Sequence, residues 1–428
     1  MKATRLGLIS GLVLALLLGT NWAIGADEPI TDFDALALQP EPVTSVPVSG
    51  ATKLLGEVVV GHENRRYGQS EDDISRVSVD YRTSFRVTEY LSGSFSARID
   101  SMDPPAAEVQ NPALSLREAY LTWQSPGARQ LVEIGRVNLR EGPGYGYNPT
   151  DFFRYNALRT ISTIDPVSLR ETRLGTVMLR GQQLWPSASV DVLFAPKLES
   201  ERSHKGFSAD WGATNSRSRG QVALGSRISE TANSRVLLYK EAGEDLAAGA
   251  SLTSLVSDSS VVHAEWSGGK EPTLLQRALK QNSQTRFGSR FAGGLTYTTA
   301  SRLSLTAEYQ YNGFALDRKA WQALTQAPLG IRIAYFGESL DRQDNAARHA
   351  ILLYAVQRDL GIKNLELTAL LKLNRADNSR LTWLELRYHF DRADLALRLQ
   401  DNTGAAGAEF GTAPVRNSAG LLFSYYFL

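Results

Sequence analysis

The sequence has no cysteine among its 428 residues, which excludes a disulfide framework, thiolate metal sites and a lipid-modified N-terminal cysteine. Histidine is scarce. His62, His204, His263, His349 and His389 are scattered along the chain, so no i,i+4 ligand pair forms and no base stands beside a nucleophile in any recognisable motif. A surplus of one charge is also missing, with 46 basic against 45 acidic residues. That balance gives nucleic acid nothing to recruit. The mean hydropathy of −0.23 is too low for a helical membrane protein. The glycine-rich stretch Gly142 to Gly146 is not followed by a helix opening with Lys-Ser or Lys-Thr, so it does not form a nucleotide cradle.

The N-terminus is patterned for export. Lys2 and Arg5 precede an apolar run from Leu6 to Leu18, followed by small residues around Ala23, Gly25 and Ala26. This is a secretory signal peptide, cleaved near Gly25 or Ala26, and its run falls short of the about 20 residues that a spanning helix needs. Without Lys2 and Arg5 the balance becomes 44 basic to 45 acidic residues. Asp27 to Ala51 carries Pro29, Pro40, Pro42 and Pro47 with little periodicity. It reads as an extended periplasmic lead-in, a tether or a binding segment. The division expected is 1–25 signal peptide, 26–53 lead-in and 54–428 barrel.

From there on, alternation takes over. Val77, Val79, Tyr81, Phe85 and Val87 fall on one face of an extended segment, and Arg76, Ser78, Asp80, Arg82, Ser84 and Arg86 on the other. Such segments begin near Leu54, Ser75, Leu91, Leu114, Arg129, Arg173, Ala188, Ser218, Arg235, Ala247, Ser260, Ser289, Arg302, Arg348, Asn364, Arg380, Ala393 and Asn417. Period-two alternation over about ten residues, repeated to the C-terminus, predicts an all-β transmembrane antiparallel barrel of about eighteen strands, apolar outside and polar inside. A one-residue slip would turn Arg76, Arg82 and Arg86 toward lipid, at about 2–4 kcal/mol each near the midplane.

The connections sort by length. Tight ones are expected at Thr88-Glu89-Tyr90, Ser125-Pro126-Gly127, Pro186, residues 230–233, Asp258, Ala300-Ser301, Leu360-Gly361 and Asp391-Arg392. Longer ones run over 61–74, 137–172, 197–217, 268–288 and 312–347, with two tight exceptions at 243–245 and 377–379. Short periplasmic turns alternating with long outer loops suit an outer-membrane barrel. Trp123, Trp185, Trp266, Trp383, Tyr388 and Phe390 lie near strand ends, where aromatic belts form. Leu421, Phe423, Tyr425 and Phe427 share one face of the last strand. They are similar to the C-terminal signal read by the barrel-insertion machinery, although Leu428 follows the last aromatic.

The connection 137–172 is the strongest functional candidate, since long loops without a domain of their own are usually functional. Its glycines permit a sharp re-entry, and Asn148-Pro149-Thr150-Asp151 is patterned to cap a short helix at Phe152. Folded inward, Arg136, Arg140, Arg154, Arg159, Arg170 and Arg173 would face Glu141, Asp151, Asp165 and Glu171. Arg76, Arg82, Arg86 and Arg98 would extend a basic track that Asp80 and Asp100 partly neutralise. These charges either set selectivity, with the arginine surplus favouring anions, or pair among themselves and fasten the loop to the wall. Tyr145, Tyr147, Phe152 and Phe153 offer either stacking surfaces for a sugar or a small core of the loop itself. In the connection 312–347, Leu316, Ala320, Trp321 and Leu324 at helical spacing predict a short helix ahead of Pro328 and Gly330.

In Gly135, Arg136, Glu141, Gly142, Asn148, Pro149 and Asp151 the sequence resembles a family of proteobacterial outer-membrane barrels, porin-like and of poorly defined function. In that family a Gly-Arg strand end is followed by a glycine turn and an Asn-Pro-x-Asp segment. Arg140 stands where that family carries tryptophan. Weaker resemblance extends through Thr306-Ala307-Glu308-Tyr309 and Tyr311-Asn312-Gly313. The resemblance implies that the loop folds into the lumen, as constriction loops do in porins. The expected function is passive passage of small solutes, anionic ones included, through an outer-membrane channel. No cofactor or metal is implied. The expected partners are outer-membrane lipid and lipopolysaccharide, the insertion machinery, small solutes and further copies in a homo-oligomer. The alternatives are a non-conducting accessory barrel of a polymer export system and a membrane-surface acyl hydrolase, whose His-x-Ser-Asn-Gly motif is missing.

Overall fold

The computed structural model describes residues 52–67, 71–105, 109–281 and 284–427. The signal peptide and nearly all of the lead-in lie outside the described residues. Every alternating segment is a strand: β1 (Thr52–Arg65), β2 (Glu71–Arg86), β3 (Leu91–Asp103), β4 (Ala113–Gln124), β5 (Gln130–Val137), β6 (Thr176–Leu184), β7 (Ala188–Ala195), β8 (Arg219–Ser229) and β9 (Ala232–Glu241). The series continues with β10 (Ala247–Ser257), β11 (Ser260–Glu271), β12 (Arg286–Thr298), β13 (Leu303–Asn312), β14 (His349–Gln357), β15 (Leu365–Asn374), β16 (Arg380–His389), β17 (Ala393–Thr403) and β18 (Val415–Tyr426). Each strand pairs antiparallel with its sequence neighbours, and β1 pairs with β18. The sheet therefore closes into an eighteen-stranded transmembrane barrel with no edge to leave backbone groups unpaired in hydrocarbon.

Alternation puts Val77, Val79 and Tyr81 outside and buries Ser78 and Asp80 within. The short connections gather at one end of the barrel and the long ones at the other, as expected, with 242–246 and 375–379 the tight exceptions. The first long connection is shorter than its sequence suggested. Instead of a loop over 61–74, β1 and β2 continue pairing to Asn64↔Glu71. Polar cross-strand contacts extend the ladder past the last apolar residues: His62 Nδ1 lies 3.0 Å from Asp73 and Arg65 Nε 3.1 Å from Asp72.

Among the described residues, six helices sit in the long connections: α1 (Pro166–Thr172), α2 (Trp211–Thr214), α3 (Leu274–Ala278), α4 (Arg318–Thr325), α5 (Leu329–Asp341) and α6 (Glu409–Thr412). The helix expected through Ala320, Trp321 and Leu324 is α4, capped by Asp317, whose carboxylate accepts from Ala320 N at 2.9 Å. Pro328 does not end the helical stretch but precedes a second helix, α5. The helix expected at Phe152 does not form, and turns occupy 149–156. Its intended caps are engaged elsewhere: Thr150 and Asn148 bind the wall residue Glu265, and Asp151 holds Arg173. Helix α1 forms further along instead, where Asp165 accepts from Ser168 N at 2.9 Å and Pro166 opens the turn.

Trp123, Trp185 and Trp266 face outward, but Trp383 does not join them. It shares the inward face of β16 with Glu385, is 4% exposed, and packs with Leu352, Tyr354 and Leu370 in an apolar patch on the lumen side of the wall. Strand parity, not nearness to a strand end, decides which way it points.

Candidate functional site

The connection 138–175 lies inside the barrel. Its glycines make this possible at named positions. Gly135 at φ 131° lets β5 approach β4 so closely that a Cβ would stand 2.3 Å from Ala119 O. Gly142 at φ 84° brings the backbone against Glu265 of β11, where a Cβ would stand 2.2 Å from its carboxylate. The turn then wraps two wall carboxylates. Glu265 accepts from Gly144 N, Asn148 Nδ2 (3.1 Å), Thr150 N (3.3 Å) and Thr150 Oγ1 (2.8 Å). Glu308 of β13 accepts from Tyr145 N (2.6 Å) and Gly146 N (3.2 Å), and stands 3.1 Å from His263 Nε2. Successive backbone N–H groups aimed at a carboxylate form an anion-binding concavity, here filled by the protein's own side chains. Replacing Gly142 by alanine is expected to lower the thermal unfolding midpoint, at a cost of about 1–3 kcal/mol from positive φ plus the clash, and to leave barrel assembly on semi-native gels unchanged.

The aromatics of this segment do not form a core of their own. Phe152 stacks on Tyr239 of β9, with ring centroids 4.5 Å apart and planes 8° apart, and Phe153 meets the same ring edge-on at 5.8 Å. Tyr145 meets Tyr354 of β14 at 5.4 Å on the apolar patch that includes Trp383, and Ile164 packs there as well. The segment thus rests on two apolar footings on separate arcs of the wall, β6–β10 and β14–β16.

Its charges are mostly buried and engaged. Arg136 donates to Gly175 O (2.8 Å) and stacks over Trp211. Glu141 accepts from Arg235 of β9 (2.9 Å) and Gln221 of β8 (3.3 Å). Asp151 pairs with Arg173 (2.8 Å). Arg154 donates to Asp344 (2.5 Å) and to Arg342 O (3.0 Å), both in the connection 313–348. Arg159 pairs with Asp210 (2.6 Å) in the connection 196–218. Besides capping α1, Asp165 accepts from Tyr354 Oη (2.8 Å). Arg170 donates to the carbonyls of Glu141, Gly142 (both 3.1 Å) and Gly144 (3.3 Å); burial, the largest cause, lowers its pKa to about 10.

On the opposite wall, Arg76 donates to Ser162 O at 3.1 Å, and Arg98 sits among Glu57, Asp80 and Asp100. Arg86 lies exposed at the short-turn end of β2. Only Arg140, Glu171 and Arg82 of the expected lumen charges form a half-exposed chain, Arg82 to Glu171 at 3.5 Å and Arg140 to Glu171 at 3.9 Å. Asn148 donates to Gly144 O at 2.6 Å, inside the turn that Pro149 continues.

Three side chains that hold the segment were not singled out as site residues from the sequence: Glu265, Glu308 and Asp344. Glu265 and Glu308 sit at inward positions of alternating strands; parity was the only signal for Glu265, whereas Glu308 also falls in the Thr306-Ala307-Glu308-Tyr309 stretch of the resemblance. Between the segment and the wall from β4 to β10 a cavity of about 820 Å³ remains, reaching the short-turn end at Trp185–Ser187.

No protein-family model matches the sequence, and no curated protein matches it. Solved structures do. The structure of Pseudomonas aeruginosa OccK11 (OpdR) superposes with a TM-score of 0.51 at 12% identity, over 88% of this chain and 95% of that one. A triple mutant of the Rhodopseudomonas blastica porin aligns with a TM-score of 0.43 at 10% identity, over 88% of this chain and all of the other. The likeness to OccK11 shows a shared barrel fold.

Proposed function

We propose that the protein is a bacterial outer-membrane channel for passive passage of small solutes, narrowed by the inward segment 138–175. One observation carries this reading. The segment is tied to β9, β11 and β13 on one side and reaches β2 and β17 on the other, through Arg76 and Arg398 to Ser162 O, yet a cavity of about 820 Å³ remains beside it. The short-turn end faces the periplasm, as in barrels with long outer loops. The arginine surplus that favours anions on sequence grounds is mostly bound to carbonyls and carboxylates, which supports fastening as the main role of Arg136, Arg154, Arg159, Arg170 and Arg173. Selectivity then rests on the charges left in the cavity.

The mature protein in planar bilayers is expected to give discrete conductance steps. Joint replacement of Arg140, Arg154 and Arg159 by alanine should raise the step size. No conductance from the wild type, with a periplasmic protein recovered alongside it, would overturn the channel and leave the accessory barrel of an export system.

A further inference from the structure

The cavity beside the inward segment holds an acid and a base that face it without closing on one another. Strand β4 carries a bulge: Ser96 pairs with Glu118 and Ala97 with Leu116, so Arg117 is an extra residue. The bulge turns Glu118 inward, to the face opposite Leu121 and Trp123. Glu118 lines the cavity and forms no hydrogen bond or ion pair among the described residues. Its strongest electrostatic neighbours are Arg140 and Arg82, neither within ion-pair distance. Arg140 is 49% exposed, Glu171 43% and Arg82 42%. Pairs this exposed and this long contribute little to stability, so Arg140 and Glu171 remain available to a solute, while Arg82 also donates to the buried Asp80 at 3.4 Å.

We propose that Glu118 and Arg140 form the binding site of a small zwitterion, its ammonium on Glu118, its carboxylate on Arg140 and its apolar remainder against Tyr120, Leu139 and Leu184. This deepens the channel reading and rests on it. A solute with only a carboxylate meets repulsion from Glu118 and Glu171 beside Arg140. One with only an ammonium meets Arg82 and Arg140 beside Glu118. A solute bearing both groups on one carbon satisfies acid and base together, which offsets the cost of leaving either unpaired in a partly enclosed site. The volume lies within the range of small-molecule sites, about 300–1,000 Å³.

The test compares L-phenylalanine, phenylacetate and phenethylamine on the full mature protein, by calorimetry in detergent and by current block in bilayers. Phenylalanine is expected to bind at least about tenfold more tightly than either single-charge analogue, and Glu118→Gln and Arg140→Gln each to weaken it by about tenfold. Glu118→Gln should strengthen phenylacetate binding, and Arg140→Gln should strengthen phenethylamine binding, because each removes a like charge. Equal binding of phenylacetate and phenylalanine, no heat with any probe, or phenylalanine binding indifferent to Glu118→Gln overturns the site. Phenylalanine binding in detergent without conductance in bilayers upholds the site and removes the channel.

Discussion

Replacing Asp344 by alanine is expected to unfasten the inward segment from the outer loops, raising the conductance recorded in planar bilayers and lowering the temperature at which the connection 313–348 becomes open to protease. Asp344 is buried and accepts from Tyr147 Oη (3.0 Å) and Arg154 Nη2 (2.5 Å), with Arg290 at 3.2 Å and Arg342 at 3.5 Å. One carboxylate thus joins the segment, the wall strand β12 and the outer loop. Breaking a buried pair by removing one partner costs about 3–5 kcal/mol. The low end is expected, because Glu271 still holds Arg290 (2.8 Å) and Arg342 (3.3 Å). Asp344→Asn should act in the same direction, since the shape survives and the charge does not.

Acid acts on the same group, and the sign follows from its environment. Burial would raise the carboxyl's pKa, but the guanidiniums of Arg290, Arg154 and Arg342 outweigh it and hold the carboxyl well below the usual carboxylate range. Its contribution is therefore intact above the unfolded value of about 4 and fades as the pH falls below that. Wild type should keep its small conductance down to about pH 4, and Asp344→Ala should conduct alike across that window. A wild type that opens between pH 6 and 5 would show that another group holds the latch.

The strands were legible because lipid imposes one rule on every one of them. An outward charge in hydrocarbon is so costly that period-two alternation marks the strands wherever the lumen face is polar; β14, apolar on both faces from Ala350 to Val356, is the departure. The other exceptions are places where a local event shifts the parity. Leu114 and Leu116 point outward, and continued alternation would send Glu118 after them. The extra residue Arg117 reverses that, and the only trace in the sequence is that Leu121 and Trp123 resume on odd positions. The inward segment was legible as a candidate from its length and glycines. Its partners were not, because Glu265, Glu308 and Asp344 lie more than a hundred residues away and look like any inward polar position until the fold closes. The helix expected at Phe152 fails for the same reason: Asn148 and Thr150 are good caps locally, but a distant carboxylate claims them first. The arginine surplus could be counted, whereas its engagement by backbone carbonyls, as at Arg170, cannot be read from composition.

Glu265 offers the second large effect and separates anchoring from latching. Its side chain, 1% exposed, holds four donors of the segment within six residues of Gly144. Glu265→Ala leaves two backbone N–H groups, one N–H of the Asn148 amide and the Thr150 hydroxyl without their acceptor in the interior, each costing about 1–3 kcal/mol unless water enters. Water entry is itself the expected outcome, because the space vacated by the carboxylate adjoins the glycine turn. The variant should therefore insert and close as a barrel, since its ladder to β10 and β12 is backbone-made, yet conduct more than wild type with rapid current fluctuations as residues 142–150 leave the wall. Glu265→Gln retains one carbonyl acceptor but presents an NH₂ to donors, so an intermediate conductance is expected. Protection of Gly144 and Thr150 amides in hydrogen exchange should fall in both variants and stay high in Asp344→Ala, whose wall anchors are untouched. Unchanged protection and current in Glu265→Ala would mean that the apolar footings at Tyr239 and Tyr354 hold the segment without the carboxylate.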